Sequence, residues 1–437
     1  MTERTLATDT TKKIGEKVTL EGWVYNRRDH GKLIFIDLLD RSGLIQLVCG
    51  ENASDLNVQD VIAVEGEVKE RGEKNINPNI PTGKVELKVS KINVLASAQE
   101  LPFDITKENL EVELPTLLDY RPLTLRHPKV KAIFKVQETV VDSFRKTLKG
   151  LDFTEFQAPT IVPTATEGGA EIFSIDYYGK KAYLGQSPQL YKQIMVGAYE
   201  RVFTVTKAYR AEPSETTRHL SEYVSLDCEM GFISSWEDLM DTAQEVVLGI
   251  FDGVKKDAGD KLAIFGADIP KAKTPFPRLK LSEVQEIIFK EFGRDARGEP
   301  DLSPEDEKDI CAWSAKEYGS EMVFVTHFPT KKRPFYAYPD PEDPELTLSF
   351  DLLGRGLEWV TGGQRIHEYE KLVSNIKKWG NDPKDFELYL QTFKYGMPPH
   401  GGFAIGAERT TMQILGLANI REASLFPRDM KRVDRRL

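Results

Sequence analysis

The sequence predicts an α+β protein in two parts: a small all-β barrel, then a larger domain on an antiparallel β-sheet flanked by helices. Three observations predict it. Five short runs of alternating apolar and polar residues lie between 17 and 95, separated by turn signals. From 129 to 148 the apolar spacing becomes helical. From there onward, antiparallel-type strands and helices mix.

The β runs fall at 17–25, 33–38, 44–49, 61–70 and 85–95. Asp29-His30-Gly31, Asp40-Arg41-Ser42-Gly43 and Asn77-Pro78-Asn79-Ile80-Pro81-Thr82-Gly83 supply the turns between them. Five short strands in so little chain suggest an OB-like barrel. A proline- and leucine-rich connector follows near 101–128. We set the boundaries at 1–98 for the barrel, 99–128 for the connector and 129–437 for the larger domain. In Leu33-Ile34-Phe35-Ile36-Asp37, alternation leaves Phe35 either on an exposed strand face or in the barrel core.

Composition is that of an ordinary globular protein. A net charge of −10 argues against a general nucleic-acid coat, though not against a local basic surface. Cys49, Cys228 and Cys311 are scattered, and neither they nor the six histidines cluster at zinc-ligand spacing. No apolar run approaches the roughly 20 residues that span a bilayer. Met1-Thr2-Glu3-Arg4 begins no signal-peptide pattern. A reducing cytoplasm fits, and no membrane partner is expected.

Four blocks carry the chemistry. Phe153-Thr154-Glu155-Phe156-Gln157-Ala158-Pro159 follows the long helix, and alone reads as a strand ending in proline. Gly185-Gln186-Ser187-Pro188-Gln189-Leu190-Tyr191-Lys192-Gln193 is a turn leading into a helix. Two strand-like runs around 202–205 and 223–226 flank a polar loop with Arg210, Glu212, Arg218 and His219. Arginine's planar fork matches phosphate oxygens, although such a loop alone is equally a solvated hairpin. Gly402-Phe403-Ala404-Ile405-Gly406-Ala407-Glu408-Arg409 is a glycine-rich strand running into a helix.

In this order the blocks resemble those of a class II aminoacyl-tRNA synthetase, the hairpin matching that class's second motif and the last block its third. The resemblance covers essentially the whole chain. It points to the aspartate/asparagine/lysine subgroup, whose N-terminal OB domain binds the anticodon. Gln186-Ser187-Pro188-Gln189-Leu190-Tyr191-Lys192-Gln193 resembles the aspartyl signature. The catalytic domain looks like the compact archaeal type, while Arg27-Arg28-Asp29-His30-Gly31 and Asn77-Pro78-Asn79 are bacterial in flavour.

The resemblance implies ATP as substrate and Mg²⁺ as cofactor. It implies formation of aspartyl-adenylate, then transfer to a tRNA 3′ end. Neither step needs a protein nucleophile, so alignment and charge stabilisation should supply the catalysis. Arg210 is expected at the α-phosphate and the aspartate carboxylate, and Arg409 on adenine and the γ-phosphate. Glu212 is expected at the adenine end, with Arg218 and His219 on the terminal phosphates. A dianionic amino acid needs cations for its carboxylates and anions for its ammonium. Lys192 and Arg365 are the cationic candidates. Glu167 and Asp227 are the anionic ones, with Ser187 and Gln189 in support. His367 is left outside the ligand set, as a support for Arg365. Asp351, Glu358 and Thr361 are the metal candidates, Glu358 also reaching ATP. Phe35 would stack the middle anticodon base, with Arg28 and Gln46 beside it.

The resemblance also implies a homodimer built on the first motif. The alternatives are an asparaginyl-tRNA synthetase, a tRNA-independent asparagine synthetase, and a synthetase-like RNA-binding protein. Lys192 disfavours the first two, and the presence of both Arg210 and Arg409 disfavours the third. In the resembling bacterial enzymes, leucine in the turn at His30 accompanies strict tRNA-Asp use and histidine relaxed use. The expectation is therefore charging of both tRNA-Asp and tRNA-Asn, coupled to an amidotransferase.

Overall fold

The computed structural model describes residues 3–31, 33–164, 171–213 and 216–433. It divides into two compact units, Met1–Glu111 and Val112–Leu437. The division falls inside the stretch read as connector. Residues 112–128 are built into the second unit: Arg121 is buried and donates to the carbonyls of Leu425, Glu422 and Ser424 at 2.8, 2.9 and 2.6 Å.

In the first unit, β1 (Lys17–Asp29), β2 (Ile34–Leu39), β3 (Leu44–Cys49), β4 (Val61–Glu70) and β5 (Val85–Ala96) close into a barrel in the order β1-β2-β3-β5-β4. Closure leaves no free strand edge to pair with another chain. Ile34, Ile36 and Leu38 enter the core beside Ile45, Leu47 and Cys49. Successive strand residues alternate faces, so Phe35 and Asp37 lie on the outer side. That settles the open placement of Phe35.

The second unit holds α1 (Pro128–Gly150), β6 (Thr154–Glu155), α2 (Gln189–Tyr199), β7 (Arg201–Tyr209), β8 (Glu222–Gly231), α3 (Glu237–Asp257), β9 (Arg278–Lys280), α4 (Pro304–Glu317), β10 (Met322–Thr326), β11 (Ser349–Gly354), β12 (Leu357–Arg365), α5 (Glu387–Lys394), β13 (His400–Gly406) and α6 (Ala407–Leu415). Its main sheet runs β9-β10-β11-β12-β13-β8-β7-β6, antiparallel except for the β6–β7 and β9–β10 pairs. α1 begins with Pro128 at its first turn, where a missing N–H costs nothing, and His127 caps it by accepting from Lys129 N at 3.2 Å.

The sheet has two unlike faces, and its register explains why. Residues paired across strands point to the same side. The row Phe203, Cys228, Phe403, Gly362, Phe350 faces a core closed by Val136, Val140 and Phe144 of α1 and Val246 and Val247 of α3. Shifting by one residue gives the row Thr204, Asp227, Ala404, Thr361, Asp351, which must face the other way. That polar face carries the site.

Candidate functional site

β8 lays Ser225, Asp227 and Glu229 along this face at every second residue, about 7 Å apart. Ser225 lines a cleft, and Glu229 lies at the buried end of the row. Glu358 and Thr361 also line the cleft, although three residues apart on one strand they should face opposite sides. A bulge where β11 and β12 shift register between Leu352 and Leu353 resolves this. Trp359 and Val360 both enter the core, and Glu358 returns to the face of Thr361.

The cleft is lined by Arg210, Glu212, Arg218, His219, Glu358 and Arg409, together with small residues of β13. Every nucleotide residue expected from the sequence is therefore brought together. Each arginine rests on a glutamate: Arg210 lies 3.7 Å from Glu212, Arg218 2.8 Å from Glu307 and Arg409 3.3 Å from Glu358. Arg210 also lies over the Tyr223 ring. Burial, helped by Arg409, Arg218 and Arg210, holds His219 below its ordinary pKa, so it is neutral at pH 7. Its Nδ1 shares a hydrogen bond with Thr216 Oγ1 at 2.6 Å.

Beyond Ser225 lies a buried polar cluster. Gln189, Lys192 and Gln193 share one face of α2, at the spacing that aligns side chains on a helix, and all three are buried. Ser187 Oγ accepts from Gln189 N at 3.1 Å, which sets the start of that helix. Lys192 Nζ lies 3.0 Å from Asp227 Oδ1 and 3.2 Å from Glu229 Oε2, the latter contact outside hydrogen-bond geometry. Arg365 Nε donates to Glu229 Oε1 and its Nη2 to the Gly402 carbonyl, both at 3.0 Å. Two buried cations and two buried anions thus balance. Burial works against the Lys192 ammonium, but the two carboxylates outweigh it and raise its pKa. Arg365 and Lys192 likewise overcome the burial of Glu229 and keep it ionised. A Cβ on Gly402 would lie 2.1 Å from Cys228 O and 2.3 Å from Glu229 Oε2, so only glycine lets the strands approach around that carboxylate.

Behind this quartet, Gln193 Oε1 accepts from Gln189 at 3.0 Å and from the Tyr389 hydroxyl of α5 at 3.1 Å. Gln193 Nε2 sits 2.8 Å from His400 Nε2, and His400 Nδ1 sits 3.0 Å from Pro398 O. A ring donating from Nδ1 and accepting at Nε2 satisfies both. Burial pushes His400 down to about 4, consistent with that neutral form. An unfolded histidine titrates near 6.5, so between those values the unfolded chain binds more protons than the folded one. This contribution is intact above pH 6.5 and falls by about 3 kcal/mol as pH drops to 4. A His400→Gln variant should show a flatter fall over that range in urea titrations.

The metal candidates are arranged less simply than expected. Thr361 Oγ1 donates to Asp351 Oδ1 at 2.7 Å, and Arg333 Nη2 donates to Asp351 Oδ2 at 2.8 Å. Both Asp351 oxygens are thus engaged, and the described residues hold no group of three or more His, Cys, Asp or Glu suited to a metal. Glu358, which pairs with Arg409, and Thr361, which also accepts from Arg333 Nη1 at 3.3 Å, are the hard oxygen donors that line the cleft. That suits a cation such as Mg²⁺, which takes few protein ligands and completes its shell with phosphates and water.

Glu167 lies outside the described residues. Arg365 is braced by Glu229, not by His367, whose ring instead stacks on Tyr338. In the barrel, Arg28 pairs with Asp37 at 2.7 Å and donates to Gln46 at 3.3 Å, and Gln46 donates to Glu86 at 3.0 Å. All sit on the outer strand faces with Phe35, and His30 meets the Phe35 ring edge-on at 5.5 Å. Sequence reasoning missed Glu229, Gln193, Tyr389, His400 and Arg333. Glu229 was within reach, since it stands two residues after Asp227 on one strand.

An arginine-rich cleft suits a polyphosphate, and the buried cluster of two cations and two anions lies beyond Ser225. Residues 113–430 match the family of tRNA synthetases class II (D, K and N), and residues 18–95 match the OB-fold nucleic acid binding domain. The chain belongs to the class II tRNA synthetases of the D, K and N group. It is 45% identical to an aspartate--tRNA(Asp/Asn) ligase of Thermus thermophilus, over 98% of this chain and 99% of that one. It is 39% identical to an aspartate--tRNA(Asp) ligase of Pyrococcus furiosus, over 96% of each. A crystal structure of asparaginyl-tRNA synthetase from Pyrococcus horikoshii complexed with asparaginyl-adenylate superposes with a TM-score of 0.90 at 32% identity, covering 99% of this chain and all of that one.

Proposed function

We propose that the protein is an aspartate–tRNA ligase. It joins aspartate to the α-phosphate of ATP with release of pyrophosphate, then passes the aspartyl group to a tRNA 3′ hydroxyl. The observation that carries this reading is the buried quartet of Lys192, Asp227, Glu229 and Arg365. Arg365 Nη1 has no hydrogen-bond partner among the described residues and is the open donor for the substrate's side-chain carboxylate. Lys192, fixed by two anions, adds positive charge beside it. Asp227, already bonded by Lys192 and Ser225, is assigned with Gln189 and Ser187 to the substrate ammonium, and Glu167 to the same role. An asparagine side chain would bring an NH₂ donor against these donors, leaving polar groups unpaired at a cost of about 1–3 kcal/mol each.

Arg210 bridges the amino-acid carboxylate and the α-phosphate, stabilising charge that grows at phosphorus. Glu212 orients the adenine end, Arg218 and His219 hold the terminal phosphates, and Arg409 flanks adenine and the γ-phosphate. Glu358 and Thr361 would hold Mg²⁺, which supplies charge neutralisation between phosphates, with Asp351 fixing the Thr361 hydroxyl from behind. The protein acts as a homodimer through α1 and the segment 153–159 that carries β6. Light scattering at micromolar concentration should give twice the chain mass.

In the barrel, Phe35 stacks the middle anticodon base, worth roughly 1–3 kcal/mol. The anticodons of tRNA-Asp and tRNA-Asn differ only in the third base, and His30, packed on the edge of Phe35, offers no strict reader of it. The enzyme should charge tRNA-Asn within about tenfold of tRNA-Asp, a difference near 1.4 kcal/mol. Aminoacylation of both purified transcripts tests this, with a His30→Leu variant expected to shift preference towards tRNA-Asp. A preference of several hundredfold in the unmodified enzyme would exclude relaxed use. Aspartyl-tRNA-Asn then requires an amidating enzyme downstream.

A further inference from the structure

Arg218 is held by a carboxylate that the proposed chemistry does not use. Glu307 lies in the first turn of α4, far in sequence from the hairpin, where Ser303 and Asp306 form a reciprocal cap. Its Oε2 accepts from Arg218 Nη1 at 2.8 Å, and both side chains are largely withdrawn from solvent, at 16% and 25% exposure. Glu212 and Glu358, which hold the other two arginines, are themselves assigned to ATP, whereas Glu307 is not. The backbone beside Arg218 is tied separately. Ile420 N donates to Thr217 O at 2.9 Å, Ser221 N to Arg428 O at 2.8 Å and Arg421 Nη1 to Thr216 O at 3.3 Å. The hairpin's returning leg is therefore anchored, and Glu307 fixes where the guanidinium rests.

A carboxylate oxygen and a phosphate oxygen make the same kind of charge-assisted bond to a guanidinium. We propose that Glu307 is a positioning residue that stands in for a phosphate. It holds Arg218 at the cleft while ATP is absent and yields it to the terminal phosphates when ATP binds. This rests on the assignment of Arg218 to ATP. The surroundings of Glu307 support the exchange. Burial pushes its carboxyl up to about 7, against the pull of Arg218 and Arg409 and with the push of Glu358, so it is a weak competitor that a polyphosphate can displace.

Glu307→Gln keeps the shape and removes the charge. It should tighten ATP binding, measured calorimetrically with Mg²⁺ present, by about three- to tenfold, the scale of one charge-assisted hydrogen bond exchanged for another. The KM for aspartate should not change. Hydrogen exchange at residues 216–221 should match wild type in the free variant, because that backbone is tied independently of Glu307. In ATP affinity, Glu307→Asp should lie between wild type and Glu307→Gln. Unchanged or weaker ATP binding by Glu307→Gln would overturn the proposal. Arg218→Ala separates the two ideas. If it leaves ATP affinity intact, the assignment of Arg218 fails. If it weakens ATP while Glu307→Gln has no effect, only the role of Glu307 fails.

Discussion

Lys192→Met should abolish aspartate-dependent ATP–pyrophosphate exchange, lowering kcat/KM by about 10³-fold or more. Methionine nearly matches the volume, so the loss is of charge. Asp227 and Glu229 would then face each other with one of their two cations gone, and a broken buried pair costs about 3–5 kcal/mol. Part of that loss should appear as lowered stability in thermal unfolding. An added Asp227→Asn change removes one stranded anion and should restore much of the stability. It should not restore exchange, because the positive charge beside the substrate carboxylate remains absent. Recovery of activity in the double variant would mean that Lys192 serves the fold alone.

Arg210→Lys should lower the rate of adenylate formation by about 10²–10³-fold, the range seen when one preorganised charge-stabilising donor is lost. Lysine keeps the charge but not the fork, and two anionic groups must be bonded at once. In the resting protein Arg210 lies 3.7 Å from Glu212 and over the Tyr223 ring. Single-turnover kinetics should show the loss in kcat, with the KM for ATP changed far less. A variant with normal kcat and raised KM would make Arg210 a binding residue only.

Much of this was legible because the signals were local. The five barrel strands and the helix at 128–150 follow from apolar period alone, and their ends lie within a few residues of the expected ones. The cleft residues were legible through the resemblance, whose motifs are contiguous in sequence. What failed to show was register. Nothing in Leu357-Glu358-Trp359-Val360-Thr361 announces the bulge that brings Glu358 and Thr361 to one face. The placement of Phe35 needed the barrel to decide between core and exterior. Arg333 reaches Asp351, and Glu307 reaches Arg218, from elements distant in sequence, and no spacing rule connects them. Glu229 is different: the two-residue period of a strand already put it beside Asp227.

Every assignment in the buried quartet depends on aspartate being the amino acid activated. ATP–pyrophosphate exchange, run side by side with saturating aspartate and saturating asparagine, tests that most directly. Exchange with aspartate and none above background with asparagine is the predicted result. Exchange of comparable rate with asparagine would contradict it and would mean that the buried quartet does not read the side-chain carboxylate.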